Sequence, residues 1–320
     1  MSAGGGTKAI MAAMVANGGI AISKFVAFGV TGSSSMLAEG IHSVADTSNQ
    51  GLLLFGGKAS RRAATTEHPF GYGRERYFWS FVVALVLFSL GGGFALYEGV
   101  AKIRHPHAIE SAAWAIGVLS FAIVAEAFSF RTAIVEARPL KGDASWVSFI
   151  RHAKVPELPV VLLEDAGAMV GLVLALGGVG MTLVTGDPVW DGVGTLMIGV
   201  LLSLIAMILA FEMRSLLLGE AASTSDRTAI VAAIEGQPDV TGLIHLRTQH
   251  LGPEELLVGA KLEFSSSLSV KELTGAINAT ERAIRDAVPA ARMIYLEPDV
   301  RDPNHQPTRP ASPDSAAEHH

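Results

Sequence analysis

The sequence predicts a membrane protein of two parts: an all-α domain of six transmembrane helices, followed by a C-terminal α+β domain of ferredoxin-like type. Of the 320 residues, 50% are hydrophobic and 17% are charged, whereas a soluble globular chain carries about 25% charged residues. Six long apolar runs follow one another up to about residue 218. After that point the composition changes to short alternating patterns, which are typical of a small folded domain outside the membrane.

Each of the six apolar runs is long enough to cross a bilayer, which takes about 20 residues of helix. Helices are expected because a lone strand would leave its backbone groups unpaired in lipid. The first run is too long for a cleaved signal peptide, and no small-residue cleavage site precedes a polar mature sequence. The predicted spans are residues 9–30, 35–57, 78–101, 111–134, 157–184 and 190–217.

The charges of the loops predict the orientation of these spans. The loops after the second and fourth spans are long and basic, whereas the loop between the third and fourth spans holds only Lys102 and Arg104. Positively charged loops stay in the cytoplasm. We therefore expect a multi-pass protein of the cell (inner) membrane with both termini cytoplasmic. The basic residues of the two long loops are Lys58, Arg61, Arg62, Arg74, Arg76, Arg131, Arg138, Lys141, Arg151 and Lys154.

The segment after the sixth span has the predicted element order α-β-β-α-β, which fits a ferredoxin-like fold. Two alternating strands flank the turn signal Gly252-Pro253, and Ser269 with Glu272 resembles a capping box that opens the second helix. The elements are predicted at residues 222–236, 241–249, 256–264, 269–288 and 293–297. The predicted domains are 1–218 (transmembrane), 219–300 (cytoplasmic) and 301–320 (a disordered tail, to whose His319 and His320 we assign no function).

Composition also excludes several classes of function. The net charge of −6 argues against nucleic-acid binding, which requires a basic face. The chain has no cysteine, which removes disulfides, thiolate zinc sites and cysteine nucleophiles. We accordingly expect no nucleic-acid partner, and nothing in the sequence points to an organic cofactor.

The second span carries polar side chains at helical spacing. An ionisable group inside a span costs about 2.5–3.5 kcal/mol on insertion, so each such group needs a reason. His42 and Asp46 are four residues apart and share one face of a helix, and Glu39 and Asn49 lie on nearly the same face. A histidine nitrogen and a carboxylate at this spacing can bind zinc, manganese, iron or cobalt. Two ligands do not complete a site, so a second helix must contribute.

The fifth span supplies two adjacent carboxylates, Glu164 and Asp165. Adjacent residues of a helix point about 100° apart. We therefore expect Asp165 to be a ligand and Glu164 to be a fourth ligand, a supporting residue or a proton-handling group. A structural alternative pairs these acidic faces with Lys24 of the first span and makes His42 a neutral packing residue. For Asp191, at the start of the sixth span, helix capping or a bond between helices is expected.

Together these residues resemble the cation diffusion facilitator family, in its zinc transporter nine-like branch. The resemblance runs from about residue 8 to residue 298. Besides His42-x-x-x-Asp46 and Asp165, it rests on the turn Thr31-Gly32-Ser33, the α-β-β-α-β domain and the loop motif His68-Pro69-Phe70-Gly71-Tyr72-Gly73-Arg74.

The resemblance implies a homodimeric, proton-coupled exporter of divalent metal ions. It also implies a tetrahedral site with two ligands from the second span and two from the fifth. His42, Asp46 and Asp165 match the family pattern, but Val161 occupies the usual position of the fourth ligand. Glu164, a water molecule, or Glu39 or Asn49 could take that place, and the metal preference could then differ from zinc. Glu39 and Asn49 are otherwise candidates for proton relay or for support of the ligands.

Two further metal sites of the family are expected to be absent. In the loop after the second span, the corresponding positions are Thr65, His68 and Tyr72, which leaves His68 a role in loop packing or capping. In the cytoplasmic domain the metal positions become Ile244, Ala260, Leu296 and Pro298, with His245 and His250 nearby. We therefore expect this domain to dimerise without metal, through apolar faces or contacts between strand edges.

The hypothesis is an antiporter that exports divalent transition-metal cations by alternating access, with zinc as the expected cargo and manganese, iron, cobalt or cadmium as alternatives. Metal binding to deprotonated ligands releases protons, and His42 has the side chain whose charge changes near neutral pH. The alternative is a membrane-anchored metal sensor or scaffold without transport. An intramembrane metalloenzyme ranks below both, because the chain has no His-Glu-x-x-His motif.

Overall fold

The computed structural model describes residues 7–31, 34–107 and 112–300. Within the helices, the side chains of residues 27, 28, 30–42, 45 and 112 are outside this description. The predicted tail at 301–320 also lies outside the described residues. The chain divides into two compact units between Leu218 and Gly219, and each unit is described separately.

The first unit consists of helices. Its elements are α1 (Thr7–Thr31), α2 (Ser34–Ala59), α3 (Glu75–Val86), a π-helical segment (Leu87–Gly93), α4 (Phe94–Arg104), α5 (Ala112–Lys141), α6 (Trp146–His152), α7 (Glu157–Thr185) and α8 (Val189–Leu218). The helix α3, the π-helical segment and α4 follow one another without a break, so that residues 75–104 form one long helix with a π-bulge in its middle. The short helix α6 and the π-bulge are additions to the predicted elements.

Five stretches, counted over the described side chains, are long and apolar enough to cross a membrane. They are Thr7–Val26, Glu75–Arg104, Ala113–Lys141, Glu157–Thr185 and Val189–Leu218. They coincide with five of the six predicted spans. The helix α2 has 26 residues, and because many of its side chains lie outside the description, its membrane crossing stays a prediction.

Glycines allow α4 and α8 to pack with their backbones in close contact. A Cβ atom added at Gly99 of α4 would lie 2.6 Å from the backbone nitrogen of Leu196, and one added at Gly199 of α8 would lie 2.6 Å from that of Leu96. A side chain at either position would therefore collide with the opposite backbone. Near one end of this pair, Lys102 of α4 forms a 3.0 Å ion pair with Asp191 of α8. The predicted bond between helices at Asp191 is thus confirmed.

The second unit contains α9 (Thr224–Glu235), β1 (Val240–Gly252), β2 (Glu255–Phe264), α10 (Val270–Ala287) and β3 (Ala291–Pro298). The sheet order is β1-β2-β3, with β1 and β2 antiparallel and β2 and β3 parallel. The helices and strands share an apolar core that includes Ile230, Ile234, Leu256, Leu262 and Ile284. This arrangement confirms the predicted α-β-β-α-β order.

The start of α10 shows why the sequence signal at its N-terminus was reliable. Ser269 caps the helix by accepting a hydrogen bond from the backbone N–H of Glu272, while the Glu272 carboxylate accepts bonds from the Ser269 backbone N–H (2.8 Å) and hydroxyl (2.6 Å). These reciprocal bonds satisfy donors that a helix start leaves without partners inside the helix. They also hold the pKa of Glu272 below its ordinary value, the hydroxyl bond from Ser269 being the larger cause.

Candidate metal centre

The polar face of α2 carries two of the predicted site residues whose side chains are described, Asp46 and Asn49. Asp46 is half-buried, and Asn49 is 1% exposed. His42 and Glu39 lie further toward the N-terminus of the same helix, but their side chains are outside the described residues. The roles of His42 and Glu39 therefore remain predictions.

The helix α7 places both of its predicted site residues in the interior of the first unit. Glu164 is 7% exposed and Asp165 is 1% exposed. The side-chain amide of Asn49 donates a hydrogen bond to Oε1 of Glu164 at 3.4 Å. This bond brings together α2 and α7, the two helices that the sequence pattern selected.

Val161 lies one turn before Asp165, at the position where the family pattern has its fourth ligand. Its side chain is fully buried and belongs to an apolar cluster with Leu53, Val83 and Leu158. An apolar side chain in such surroundings supplies no ligand. If a fourth ligand comes from the protein, it must therefore come from another position.

The helix α5 brings two polar residues to this place, and the sequence analysis did not select them. The hydroxyl of Ser129 donates a 2.7 Å hydrogen bond to Oδ2 of Asp165, and Ser129 itself is fully buried. Glu126, about one turn earlier, is 4% exposed. The signal that could have found Glu126 is the cost of an ionisable group inside an apolar span, the same argument that selected the residues of α2 and α7.

The carboxylates of these three helices interact electrostatically. Glu126 and Glu164 both lie within the field of Asp46 and of Asp165. Lys24 of α1 is the nearby cation: it acts on Glu126, and its ammonium group donates a 2.8 Å hydrogen bond to the hydroxyl of Ser43 on α2. Four acidic groups therefore interact with one another in the interior, and Lys24 acts on one of them.

Two oxygen atoms at this place have no hydrogen-bond donor among the described residues. They are Oδ1 of Asn49 and Oε2 of Glu164, on the two side chains that the hydrogen bond described above connects. Buried polar atoms without partners are rare in folded proteins. Carboxylate and amide oxygens are also ligands for divalent cations, so this pair of side chains is suited to receive a cation.

Within the described side chains, no three His, Asp or Glu residues approach one another closely enough to hold one metal ion. The hydrogen bonds explain this separation in part, because Ser129 holds Asp165 while Asn49 holds Glu164. His42, a predicted ligand, is not among these side chains. A cation bound here would therefore have to draw the side chains together.

A partly buried ion pair lies at the start of α7. The guanidinium of Arg76, on α3, donates two hydrogen bonds to the carboxylate of Glu157, the second of them 2.7 Å long. The side chains are 15% and 4% exposed, respectively. A bidentate pair of this kind has a defined geometry, so it fixes the end of α7 against α3, about two turns from Glu164.

The loop between α2 and α3 uses its histidine for local packing. The ring of His68 lies 4.6 Å from the ring of Tyr72, and the backbone N–H of His68 donates to the hydroxyl oxygen of Thr65 at 3.1 Å. Thr65 and Tyr72 are also joined through their hydroxyl groups at 3.3 Å. These contacts agree with the packing role expected for His68.

In the second unit, the residues at the family's cytoplasmic metal positions are apolar. Ala260 lies on the central strand β2 and is paired with Leu246 of β1 and Leu296 of β3. His250 is buried near the end of β1, with Nδ1 3.4 Å from the carbonyl oxygen of Gly252. This part of the sheet belongs to the apolar core.

Comparison with protein families gives a match over most of the first unit. Residues 10–218 match the family described as "Cation efflux transmembrane domain". The match begins in α1 and ends at the last residue of α8, so it includes all the helices that carry the site.

Comparison with curated proteins gives two relatives of similar identity. The chain is 33% identical over 260 residues to the human "Proton-coupled zinc antiporter SLC30A9, mitochondrial", a match that covers 80% of this chain and 46% of that protein. It is 32% identical over 255 residues to "Metal tolerance protein C4" of Arabidopsis thaliana, covering 78% of this chain and 55% of that protein. The chain thus spans about half the length of these relatives.

Among solved structures, the chain is similar to a nickel form of the MamM C-terminal domain. The identity is 20% and the TM-score is 0.24, with 25% of this chain and 100% of that domain covered.

Proposed function

We propose a function from the premise that this chain belongs to the cation diffusion facilitator family, a family of transporters rather than enzymes. The chain exports divalent transition-metal cations from the cytoplasm in exchange for protons. The observation that carries this proposal is the buried polar group formed by Asn49, Glu164 and Asp165 inside membrane-crossing helices, two of whose oxygens have no donor among the described residues.

The burial of these residues favours transport over a scaffold. A scaffold or sensor that is only anchored in the membrane gains nothing from acidic groups in the interior of its anchor, and each such group costs about 2.5–3.5 kcal/mol on insertion. Intramembrane ionisable residues therefore mark ion or proton pathways. Carboxyl groups that lose their protons when a cation binds fit a cationic cargo that is exchanged for protons.

In the proposed mechanism His42, Asp46 and Asp165 bind the cation in their deprotonated forms. Binding then releases protons, and protonation from the opposite side of the membrane weakens the site. Ser129 orients Asp165 through its 2.7 Å hydrogen bond, and Asn49 orients Glu164. Glu164 serves as a further ligand or takes up a proton, and Glu39 is a candidate for the proton relay.

Zinc is the proposed cargo, with manganese, iron, cobalt and cadmium as alternatives. The name of the human relative, a proton-coupled zinc antiporter, supports both zinc and the exchange for protons. The chemistry of the ligands also supports zinc, because His nitrogen and carboxylate oxygen are common zinc ligands.

We also propose that the chain works as a homodimer in the cell (inner) membrane, with both termini in the cytoplasm. The basic loops support this orientation. Dimerisation is assigned to the second unit and requires no metal, because the family's metal positions there hold Ile244, Ala260, Leu296 and Pro298.

The test is cation uptake into proteoliposomes or inside-out vesicles, with zinc, manganese, cobalt and iron compared under an imposed proton gradient. We expect saturable, gradient-dependent uptake by the wild-type protein and its loss in Asp46→Ala and in Asp165→Ala. Uptake that does not differ between wild type and both variants would overturn the proposal and favour the scaffold.

The matched control is Glu136→Gln. Glu136 lies on α5, partly exposed, and its carboxylate is 3.8 Å from the ammonium group of Lys8 rather than in the interior group. The variant removes one carboxylate from a membrane helix, as the site variants do, but it should leave uptake unchanged.

A further inference from the structure

We propose that Glu126 of α5 is a cation-binding residue, so that the substrate site draws carboxylates from three helices, α2, α5 and α7. This inference rests on the proposed transport function and extends it, because the sequence pattern selects ligands from two helices only. Glu126 also supplies a carboxylate ligand in place of the family's fourth ligand, whose position is occupied here by Val161.

The position of Glu126 on α5 is the first step of the argument. The buried face of this helix includes residues 122, 126, 129, 133 and 137, whose spacing of three and four residues forms one stripe along a helix. The other members of the stripe are alanines and Ser129. Glu126 is thus the only ionisable member of this stripe of small side chains, and it is 4% exposed.

The hydrogen bond between Ser129 and Asp165 determines what this stripe faces. Ser129 and Asp165 are in direct contact at 2.7 Å, and residues three apart on a helix are neighbours on the same face. Glu126 therefore lies on the face of α5 that Asp165 contacts, and the charges of Asp165 and Asp46 both act on it.

The second observation concerns the atoms around these carboxylates. Oδ1 of Asn49 and Oε2 of Glu164 lie in the interior without a hydrogen-bond donor among the described residues, on side chains that are 1% and 7% exposed. A set of acidic residues built for stability would be surrounded by donors. Acceptors that lack donors, next to several carboxylates, are the arrangement that a cation completes.

The donor set has a consequence for selectivity. Oxygen ligands suit harder cations such as manganese, whereas imidazole suits zinc, copper, iron and nickel. A site that adds Glu126 to Asp46 and Asp165 contains more carboxylate oxygen than the two-helix site. The loss of Glu126 should therefore weaken manganese binding more than zinc binding.

The rival interpretation makes Glu126 only a counter-charge for Lys24, which also acts on it. In that case Glu126 would stabilise α1 against α5 and would have no part in cation binding. The two interpretations predict different results in a variant that lacks Lys24. A counter-charge for Lys24 has no role in that variant, whereas a cation-binding residue still contributes to the cation affinity.

The experiment measures equilibrium binding of Zn²⁺ and of Mn²⁺ to the full chain in lipid nanodiscs by calorimetry. The variants are Glu126→Gln, Glu126→Asp and, as the matched control on the same helix, Glu136→Gln. We expect Glu126→Gln to weaken binding by about tenfold or more, the range seen when groups that support a metal are removed. Glu126→Asp should recover part of the affinity, and Glu136→Gln should bind as the wild type does.

The same measurement is repeated in the Lys24→Met background. If Glu126 binds the cation, Glu126→Gln still weakens binding there, with a larger loss for Mn²⁺ than for Zn²⁺. Wild-type affinity for both ions in Glu126→Gln, or full recovery in the double variant, would overturn the proposal. Thermal unfolding of each variant identifies any that fails to fold, and Glu126→Asp then decides the question.

The outcomes separate this inference from the proposed function. If wild-type protein transports and Asp165→Ala does not, while Glu126→Gln binds both ions and transports normally, the role of Glu126 is wrong and the transport function stands. If the wild type binds cations through Glu126 but shows no uptake, the transport function is wrong.

Discussion

The two units of the chain differ in the acidic side chains that they bury. In the membrane unit, Asn49, Glu126, Glu164 and Asp165 are all less than a tenth exposed, and two oxygens among them have no donor among the described residues. In the C-terminal unit the core is aliphatic, and its buried polar side chains are those of His250 and Thr280, without an Asp or Glu among the described residues. The hydroxyl of Thr280 donates a hydrogen bond to the carbonyl oxygen of Ala276 at 2.8 Å.

The charged groups of the C-terminal unit remain near the surface. The ammonium group of Lys261 lies 3.1 Å from carboxylate oxygens of Glu297 and Asp299, and the bonds to Asp299 and Glu297 raise the pKa of Lys261, with Asp299 the larger cause. Surface pairs of this kind contribute little to stability. The comparison therefore indicates that the C-terminal unit is built for stability, whereas we attribute the buried Glu126, Glu164 and Asp165 of the membrane unit to the proposed transport function.

The largest expected effect tests this difference between the two units directly. Asp165→Asn should reduce cation uptake to background, because the amide carries no negative charge for the cation. The free energy of unfolding should stay unchanged or rise by about 1 kcal/mol, since a buried charge disappears. The remaining amide oxygen still accepts the hydrogen bond from Ser129. Proteoliposome uptake and thermal unfolding of the same preparation measure the two quantities.

The outcome that contradicts this prediction is a variant that transports normally but unfolds more easily. Asp165 would then be a structural residue, and the contrast between the two units would disappear. Glu136→Gln, on the partly exposed pair with Lys8, provides the control for both measurements.

The partly buried ion pair between Arg76 and Glu157 provides a second test of the difference between the units, because it is a charged pair of the membrane unit that stabilises the fold. Glu157→Ala should lower the free energy of unfolding by about 2–3 kcal/mol, since the partly buried guanidinium of Arg76 loses two charge-assisted hydrogen bonds. The double variant Arg76→Met and Glu157→Met should recover most of this loss. If the single variant is as stable as the wild type, the pair does not hold α7 against α3.

In the C-terminal unit, a core variant should have the opposite effects from Asp165→Asn: it should lower the stability and leave cation binding unchanged. Ile284→Ala should destabilise this unit by about 3 kcal/mol, because it leaves a cavity at a fully buried position, while zinc binding in the membrane unit should not change. Hydrogen exchange of β2 in the full chain measures the local stability. Val270→Ala, at a position that is 81% exposed on the same helix, should have no effect.

The smallest expected effect is the acid sensitivity of the α10 cap. The hydrogen bonds from Ser269 hold the pKa of Glu272 below its ordinary value, so the stability that they provide is present above about pH 4.3, where a glutamate is ionised in the unfolded chain. This contribution is lost as the pH falls through the lowered pKa of the folded state. Hydrogen exchange of α10 between pH 6 and pH 3, in about half-unit steps, should show a smaller acid effect in Glu272→Gln than in the wild type. Glu281→Gln, on the same helix, should behave as the wild type does.

The sequence predicted those parts of the fold that depend on local patterns. The capping box at Ser269, the turn at Gly252-Pro253 and the α-β-β-α-β order all have their cause within a few neighbouring residues, and the structure confirms them. For Asp191 the sequence predicted either helix capping or a bond between helices, and the partner Lys102, 89 residues away, could only be found in three dimensions.

The parts of the site that escaped prediction depend on packing between helices. Ser129 has an unremarkable place in an apolar run, and its bond to Asp165 arises only because α5 lies against α7. Glu126 is different, since an ionisable residue within a predicted span was visible in the sequence. The spacing of ligands on the second and fifth spans does not predict it, because that pattern carries no information about the fourth span.

The glycine contacts between α4 and α8 limit how the membrane unit can move. A Cβ atom at Gly99 or at Gly199 would lie 2.6 Å from the backbone of the opposite helix, so the close contact between α4 and α8 requires a glycine at each of these two positions. We therefore expect α4 and α8 to keep their relative position and to move together. In the proposed transport cycle, we therefore expect the helices to move at contacts other than the one between α4 and α8.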